Sequence, residues 1–365
     1  MLPQMQTALV QAADGYAGSL PLTVATVEVP SLPSPYHVLV RVLAVALNPN
    51  DHKMITHFTM PGNLTGCDFC GVIETAGETA VHTMGTRVCG AAFPYKPDEP
   101  RPGAFAQWLA ADSRLLLRVP HAWDDLSGAA LGGVGWSTAC LAISHPGALA
   151  LDGLPSNPTE KKEPVLVYGG GTASGTMACQ LLKLSGYTPL AVTSPKSASL
   201  GTEYGAAATA SYTSANPVES IRSIASGKPI RHALDCITDA YSASICFGAL
   251  ARAGGNYACL EECPDAWRIR KAVRVMEVMG YEILGNRVDL GPSSVYTRDV
   301  SKVAFDLGQT WAGELQSLVD KDLVKPHPIR EIKGKLEGIV DGLSMLQRGE
   351  VRGQKLVVRI ASLED

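Results

Sequence analysis

The sequence predicts an α/β fold, and consecutive features between residues 164 and 197 are the reason. A short apolar run, Val165 to Tyr168, is followed at once by three glycines, 169–171. Apolar residues at helical spacing fill Thr172 to Leu184, and a second apolar run covers Thr188 to Thr193. Strand, glycine loop, helix and strand make up half of a doubly wound dinucleotide-binding fold. We therefore expect a nucleotide-binding domain around this stretch.

The glycine loop is the predicted phosphate site. Glycines let the backbone approach a pyrophosphate, and the start of the helix offers unpaired N–H groups. The loop departs from the common G-x-G-x-x-G spacing, because Gly171 and Gly175 bracket three other residues. A tight strand-to-helix turn without a ligand is the alternative. The predicted phosphate-binding residues are Gly170, Gly171, Thr172, Ala173 and Ser174.

The end of the second strand bears on the choice of cofactor. An NAD site usually carries an acidic residue there, which binds the ribose 2′-hydroxyl. This chain instead has Ser194, Pro195, Lys196 and Ser197, with no acid among them. A lysine and two hydroxyls suit a 2′-phosphate, so we predict NADPH. The alternative is that Lys196 is only a solvated surface residue.

Composition limits the class of protein. The chain has 365 residues, which predicts about two domains, and 46% of them are apolar. The net charge of −4 does not indicate binding to nucleic acid or to a membrane surface. We find no apolar run of the length that a membrane span needs, and no signal peptide at the N-terminus. Nine scattered cysteines indicate the reducing cytoplasm.

The first part of the chain is predicted to be rich in strands. Alternating and apolar runs predict strands at Gln6 to Val10, Leu22 to Val29 and His37 to Ala46, with another near Leu115 to Val119. Lys53, which follows the third of these strands, is predicted to lie in a loop.

Residues 122–147 are predicted to link two domains. A helix is expected near Leu126, a break at the glycines 132–135, and a second helix to Ile143 that Ser137 or Thr138 caps. Thr138 has two interpretations: a hydroxyl that faces the active site, or a threonine that only caps the helix or bonds back to its backbone.

The nucleotide fold continues after Ser197. We predict strands at 207–212, 232–237, 256–260 and 355–360, and helices at 218–226, 241–252 and 304–318. The carboxyl end of the strand 256–260 is expected to face the nicotinamide, which places Cys259 and Leu260 beside the cofactor. Tyr212 either stacks near the adenine or packs in the core.

Several short motifs carry a resemblance to a known superfamily. In chain order they are Asn48-Pro49-x-Asp51, Gly66-x-Asp68-x-x-Gly71, Gly85-x-x-Val88, Gly103-Ala104-Phe105-Ala106 and the nucleotide fold. Their order resembles the zinc-free medium-chain dehydrogenases and reductases, in the quinone and enoyl reductase branch. The run Ala233-Leu234-Asp235-Cys236-Ile237-Thr238 is similar to the trans-acting enoyl reductases of fungal highly reducing polyketide synthases, of the lovastatin-pathway type.

The resemblance implies a particular architecture and reaction. It implies a Rossmann-type domain (140–310) inserted into a GroES-like β-rich catalytic domain (1–139 and 311–365). It implies NADPH-dependent reduction of an α,β-unsaturated thioester. The expected partner is the acyl carrier protein of a polyketide synthase, or of a synthase–peptide synthetase hybrid.

The resemblance also implies site residues. Lys53 is the first catalytic candidate, as oxyanion stabiliser or proton source, and its alternative is a lysine that only binds the cofactor; Thr138 is the second. Further residues expected to bind the cofactor are Asn50, Asp51, His52, Gly353 and Gln354. Residues expected to bind the substrate are Ala139, Cys140, Ile143, Gly280, Tyr281, Glu282, Ile283 and Leu284.

No metal is expected. The zinc-dependent members of the superfamily use a cysteine near Asn48 and Gly-His-Glu near 66–68, and their structural zinc needs four closely spaced cysteines. Here Cys67 and Cys70 form a single pair, and no second pair follows before Cys140. A closed zinc site needs four ligands, so we interpret both cysteines as core residues.

Two rival functions remain open on the sequence alone. One is a stand-alone NADPH quinone or small-enone reductase. The other is a non-enzymatic NADPH-binding protein of the crystallin kind, which the lack of a basic stripe disfavours. No G-x-S-x-G motif is present, so a serine hydrolase is excluded.

Overall fold

The computed structural model describes residues 2–13, 20–95, 102–292 and 294–362. In chain order the strands are β1 (Met5–Gln11), β2 (Leu22–Glu28), β3 (His37–Ala46), β4 (Asp68–Ala76), β5 (Arg87–Ala91), β6 (Trp108–Asp112), β7 (Leu117–Arg118), β8 (Pro164–Tyr168), β9 (Thr188–Thr193), β10 (Ala208–Ser211), β11 (His232–Asp235), β12 (Gly255–Cys259), β13 (Val273–Glu277), β14 (Ile329–Ile332) and β15 (Lys355–Arg359). The α-helices are α1 (Pro49–His57), α2 (Asp125–Leu131), α3 (Val134–Ser144), α4 (Ala173–Leu184), α5 (Ala198–Glu203), α6 (Pro217–Ile224), α7 (Ala240–Ala249), α8 (Lys302–Asp320) and α9 (Lys335–Gln347).

Two compact units share the chain. The first unit contains Met1–Val134, Asn286–Val300 and Leu315–Asp365, and the second contains Gly135–Gly285 and Ser301–Glu314. The first unit is made of three chain segments and the second of two. The domain boundaries 1–139, 140–310 and 311–365 themselves stay a prediction.

The second unit is built on a six-stranded parallel sheet with the strand order β10-β9-β8-β11-β12-β13. The central strands β8 and β11 carry buried apolar residues, as expected where helices cover both faces of a parallel sheet. Their buried residues Leu166, Tyr168 and Ala233 belong to one core with Phe247 and Tyr257. The sequence predicted five of the six strands and missed β13, an edge strand with only one fully buried residue.

The first unit contains a seven-stranded sheet with the order β14-β15-β3-β4-β5-β7, and β6 pairs with β3. Strand β15 lies antiparallel to β3 and parallel to β14, so a late chain segment completes a sheet begun near residue 37. Strands β1 and β2 form a separate antiparallel pair. A shared core joins the sheet to α1 and α9 through Val40, Ile55, Phe69 and Ile339.

The structure corrects the prediction of a loop around Lys53. Residues 49–57 form helix α1, and the signals for it were present in the sequence. Asn48 stands at the N-cap, Pro49 at the first helical position, and Asp51 accepts a hydrogen bond from the Asn48 N–H at 2.7 Å. Lys53 therefore sits in a helix.

The start of α3 is a second correction. Ser137 and Thr138 do not cap this helix, which begins three residues before Ser137, at Val134, so both residues lie inside it and are buried. The N–H groups of Gly133 and Val134 donate instead to Asp68 Oδ1, each at 2.8 Å. A cap supplied by a residue 65 positions earlier leaves no local sequence signal.

The apolar stretch 125–144 corrects the prediction that no apolar run reaches the length of a membrane span. Within the described ranges it is the one helical stretch that is long and apolar enough, by length and composition, to cross a membrane. Within it, 83% of the most apolar window is buried inside the protein, and a break at Gly132 divides it into α2 and α3. It has the burial of a core segment.

Candidate active site

The glycine loop of the second unit lies at the carboxyl edge of the parallel sheet, between β8 and α4. Gly169 has a φ of +76°, which favours glycine. Thr172 is the N-cap of α4: its hydroxyl accepts from the Gly175 N–H at 3.1 Å and donates to Gly169 O at 2.8 Å. A Cβ at Gly175 would lie 2.2 Å from Gly169 O, so helix and loop are in backbone contact.

The predicted 2′-phosphate cluster is next to this loop. Pro195–Ser197 form a 3₁₀ turn directly after β9, and the Ser194 hydroxyl donates to Ser197 Oγ at 3.2 Å. A Cβ at Gly171 would lie 2.8 Å from the Cβ of Ser197, so the two loops leave room only for backbone. Lys196 is exposed. Close glycine backbone and a helix N-terminus together fit a phosphate group. Binding of a 2′-phosphate by Lys196 stays a prediction.

The turn that follows β11 stands between the glycine loop and β12. The carboxylate of Asp235, which is fully buried, accepts from the N–H groups of Ile237 and Thr238, both at 2.9 Å. The Thr238 hydroxyl accepts from the Leu260 N–H at 3.0 Å. Cys259 is buried with its thiol directed to Met276 O, so any contact of Cys259 with a cofactor involves its backbone.

Tyr212 lies on the same sheet edge. Its ring is tilted 32° to that of Tyr168, with 6.1 Å between the centroids, and Tyr241 Oη donates to its carbonyl at 2.9 Å. The ring of Tyr212 is half-buried. It therefore packs on the core and still presents a surface; stacking on adenine stays a prediction.

The predicted substrate residues of the second unit come together around α3. A Cβ at Gly280 would lie 2.4 Å from Thr138 Oγ1, so the Gly280–Leu284 turn packs directly on the threonine. Ala139, Cys140 and Ile143 are completely buried in this conformation. Tyr281, Glu282 and Ile283 are also buried, whereas Leu284 is half-buried. Contact between these residues and a substrate stays a prediction.

A buried ion pair organises the candidate residues of the first unit. Lys355 Nζ lies 2.8 Å from Asp68 Oδ2, and their side chains are 4% and 0% exposed. Asn48 donates to the same carboxylate oxygen at 2.9 Å and accepts from Lys355 Nζ. With Gly133 and Val134 at Oδ1, the carboxylate of Asp68 has four donors. It thereby joins β4, the N-cap of α1, the start of α3 and β15.

Helix α1 carries the predicted cofactor and catalytic residues of the first unit. Asp51 is buried, its Oδ1 has no hydrogen-bond partner, and burial raises its pKa to about 7. Burial, aided by the charges of Lys53 and His57, holds the pKa of His52 below its usual value. Lys53 is half-buried, and Asn50 Nδ2 donates to Cys67 Sγ at 3.6 Å. The neutral His52 leaves Lys53 as the cation of this turn.

Gly353 and Gln354 immediately precede β15. Gly353 has a φ of +63°, and Gln354 is exposed. Lys355, the next residue, reaches the ion pair, so this turn connects the predicted cofactor residues to Asp68.

The residues near Cys67 and Cys70 do not present the ligands of a zinc site. Within the described part of the chain, no group of three or more histidine, cysteine or acidic side chains is placed to hold a metal. Cys70 is fully buried, and burial raises the pKa of its thiol well above the usual value. The ammonium of Lys355 lies between Asn48 and Asp68, and its positive charge would repel a metal cation there.

Comparisons with known proteins give the family. The alcohol dehydrogenase GroES-like domain matches residues 34–121. Trans-enoyl reductase calK of Penicillium decumbens is 55% identical over 371 residues, and the alignment covers 99% of each chain. Trans-enoyl reductase sthE of Phaeosphaeria nodorum is 54% identical over 363 residues, again covering 99% of each. This chain belongs to the trans-enoyl reductase family.

The solved structures agree with this family in fold. The CurK enoyl reductase has a TM-score of 0.70 and 16% identity, and the match covers 98% of this chain and 99% of that one. A quinone oxidoreductase of Pseudomonas syringae has a TM-score of 0.70 and 18% identity, with 97% and 99% covered. The predicted fold class, family and enzyme class are therefore confirmed: the chain is a trans-acting enoyl reductase, and so an oxidoreductase.

Sequence reasoning missed two parts of the candidate site. One is Lys355, whose partner Asp68 lies 287 residues away. The other is the pair Asp235 and Thr238, for which a signal existed. An Asp at the end of a strand commonly accepts a hydrogen bond from the backbone two residues on and so begins an Asx turn.

Proposed function

We propose that this enzyme uses NADPH to reduce the α,β-unsaturated thioester of a polyketide chain attached to the acyl carrier protein of a separate synthase. The observation that carries the proposal is the 55% identity, over 99% of both chains, to a protein named as a trans-enoyl reductase. A reductase that acts in trans must receive its substrate from another protein, and a carrier arm is the means that polyketide synthesis provides. None of the nine cysteines is in a disulfide, which is in keeping with work in the cytoplasm.

The preference for NADPH over NADH rests on the turn after β9. Ser194, Lys196 and Ser197 offer two hydroxyls and an exposed ammonium beside Gly171. An acidic side chain in this place would repel a 2′-phosphate, and the stretch from 193 to 197 has none. Charged hydrogen bonds are worth about 1.5–3 kcal/mol each. Loss of Lys196 should therefore weaken NADPH binding and leave NADH binding nearly unchanged.

The chain's own residues would stabilise the charge that develops on the substrate. When bound, NADPH supplies the hydride that reduces the β-carbon of the thioester. We assign Lys53 to the thioester carbonyl oxygen, where its ammonium stabilises the enolate. Thr138 is the second candidate for a hydrogen bond to the substrate. Lys53 or solvent then supplies the proton to the α-carbon. His52 beside it stays neutral, because burial lowers its pKa.

Turnover with two classes of acceptor tests the proposal. Enoyl thioesters with a pantetheine arm should be reduced with NADPH, and simple quinones should be poor substrates. Lys53→Ala should lower kcat on the thioester by on the order of 10²–10³, while Lys302→Ala, which changes a lysine whose side chain is 84% exposed, serves as the matched control. Quinone reduction that far exceeds thioester reduction would refute the proposed substrate. Equal affinity for NADPH and NADH would refute the proposed cofactor.

A further inference from the structure

The turn after β11 holds a threonine in an unfavourable backbone conformation. Thr238 has a φ of +59°, in the left-handed region, and its side chain is buried. Glycine is the usual residue at such a position, and a β-branched residue there is a rare outlier. Strain of this kind persists only where the surroundings enforce it, and it concentrates at functional sites. The threonine side chain must therefore provide something that glycine would not.

A buried network enforces the strained conformation. Asp235 Oδ1 accepts from the Thr238 N–H at 2.9 Å, and the Thr238 hydroxyl donates to the Asp235 carbonyl at 3.1 Å. The other carboxylate oxygen accepts from Ser242 Oγ at 2.6 Å and from Tyr257 Oη at 2.8 Å. Asp235, Ser242 and Tyr257 are fully buried. The network fixes the turn to the parallel sheet, because Asp235 ends β11 and Tyr257 belongs to β12.

The hydroxyl of Thr238 has a second partner outside the turn. It accepts from the Leu260 N–H at 3.0 Å, and Leu260 is the first residue after β12. On its other side the turn touches the glycine loop: the Cys236 N–H donates to Tyr168 O at 2.9 Å, and the Ile237 side chain approaches within 3.1 Å of a Cβ built on Gly169. The turn is thus a spacer between the glycine loop and the end of β12.

We propose that Thr238 is a positioning residue, which fixes the Leu260 backbone relative to the glycine loop and so sets where the nicotinamide lies when the pyrophosphate is bound. The inference rests on the proposed function, because it takes the glycine loop as the phosphate site and Leu260 as the nicotinamide edge. Hydride transfer depends steeply on the alignment of the two carbons. A small displacement of Leu260 would therefore reduce turnover more than it reduces cofactor affinity.

Three substitutions separate the hydroxyl from the strain and from packing. Thr238→Val keeps the shape but removes the hydroxyl, Thr238→Ser keeps the hydroxyl, and Thr238→Gly removes both the hydroxyl and the strain. Hydrogen–deuterium exchange of the Leu260 amide is measured in the ligand-free protein. NADPH affinity and the emission spectrum of bound NADPH are measured by fluorescence. Steady-state turnover with an enoyl thioester, with and without 4-deuterated NADPH, completes the set.

The Val and Gly variants should both exchange the Leu260 amide about tenfold faster than wild type, and the Ser variant should match wild type. Turnover of the Val variant should fall by about tenfold or more, with NADPH affinity within about threefold and a shifted emission spectrum of bound NADPH. Serine should restore turnover because it keeps the hydroxyl. If only the volume of the side chain mattered, the smaller serine would not restore turnover.

Wild-type exchange at Leu260 in the Val or Gly variant would overturn the inference, as would a Val variant with unchanged turnover and emission. A Ser variant as impaired as Val would also overturn it. If wild-type protein does not reduce enoyl thioesters, the proposed substrate fails separately. The amide exchange and the emission of bound NADPH need no turnover and still decide whether Thr238 positions Leu260 and the nicotinamide.

Discussion

At the scale of single residues, the carboxylate of Asp68 connects distant segments of the first unit. Four donors from Asn48, Lys355, Gly133 and Val134 satisfy its two oxygens. Removing two charges from water is expensive, and their attraction offsets that cost only when the geometry is good and the remaining atoms are hydrogen-bonded. Asp68 and Lys355 meet both conditions, so the pair should tolerate no single truncation.

Lys355→Met should lower the free energy of unfolding by about 3–5 kcal/mol, because it leaves a buried carboxylate without its counter-charge. Adding Asp68→Asn should recover part of this loss, since the buried charge is then gone. Urea unfolding followed by circular dichroism measures both. Lys302→Met, which breaks an ion pair between exposed side chains, should cost no more than about 0.5 kcal/mol. A cost below about 1 kcal/mol for Lys355→Met would contradict this account of the pair.

Asp51 should make stability fall as the pH rises. Its pKa is raised from 3.8 to about 7 in the folded state, chiefly by burial. Its contribution is then fully present below about pH 4 and is lost as the pH rises through about 7. Asp51→Asn keeps an acceptor for the Asn48 N–H but does not titrate. The variant should therefore lose less stability than wild type between pH 5 and pH 8, by on the order of 1–4 kcal/mol.

The comparison with the variant is needed because His327 acts in the opposite direction. Burial and the nearby Lys355 lower its pKa to about 4, so its contribution grows as the pH rises from 4 to about 6.5. That term is common to both proteins and cancels in the difference. Parallel stability curves for the wild type and Asp51→Asn would show that Asp51 does not titrate as stated.

At the scale of elements, the junction between the glycine loop and α4 depends on missing side chains. The Cβ of Gly175→Ala would lie 2.2 Å from a backbone oxygen, and backbone cannot rotate away as a side chain can. Helix α4, with the N–H groups at its N-terminus, would therefore have to move away from the glycine loop. The glycine loop and α4 function as a unit. For phosphate binding, the position of α4 relative to the loop matters more than the helix propensity of its residues.

Gly175→Ala should weaken NADPH binding by more than about tenfold and lower stability by about 1–3 kcal/mol, the usual cost of overpacking. Gly313→Ala is the matched control, because it is also helical and its new Cβ meets nothing within 4 Å. The control should gain about 0.5–1 kcal/mol from helix propensity. Isothermal titration and thermal unfolding measure the two effects; wild-type NADPH affinity in Gly175→Ala would exclude the loop as a phosphate site.

Sequence patterns predicted these elements where the determinants are local. The strands at 37–46 and 188–193 were predicted to the residue, because apolar runs bounded by turn residues define them. Helix α1 was missed although Asn48-Pro49 is a common helix start, since the family motif was interpreted as a loop. The start of α3 depends on a hydrogen bond to Asp68. The pairing of Asp68 with Lys355 depends on the closure of a sheet. Such long-range contacts have no periodicity to detect.

At the scale of the whole molecule, the chain shares the fold of a dehydrogenase superfamily with zinc-dependent members, and the carboxylate of Asp68 is paired with an ammonium group. Lys355 Nζ bonds both Asn48 and Asp68. Cys67 already accepts a hydrogen bond from Asn50, and Cys70 is fully buried in the core. Asp68 and Cys67 therefore already have partners among the chain's own residues.

Elemental analysis of protein purified without chelator should therefore find less than about a tenth of an equivalent of zinc, whereas a closed four-ligand site would hold one equivalent through dialysis. Full turnover after treatment with EDTA should accompany this result. One tightly held equivalent, with loss of activity on chelation, would contradict the interpretation of Cys67 and Cys70 as core residues.

The span between Asp68 and Lys355 also has a consequence for biosynthesis. A ribosome adds about 5–20 residues per second, so roughly 15–60 s separate the synthesis of these two residues, which lie 287 positions apart. During that interval the carboxylate has no counter-charge, and β3 lacks its partner β15. The glycine loop and the parallel sheet, whose strands lie within 164–277, are complete well before then. The sheet of the first unit therefore cannot be completed until long after all strands of the parallel sheet have been synthesised.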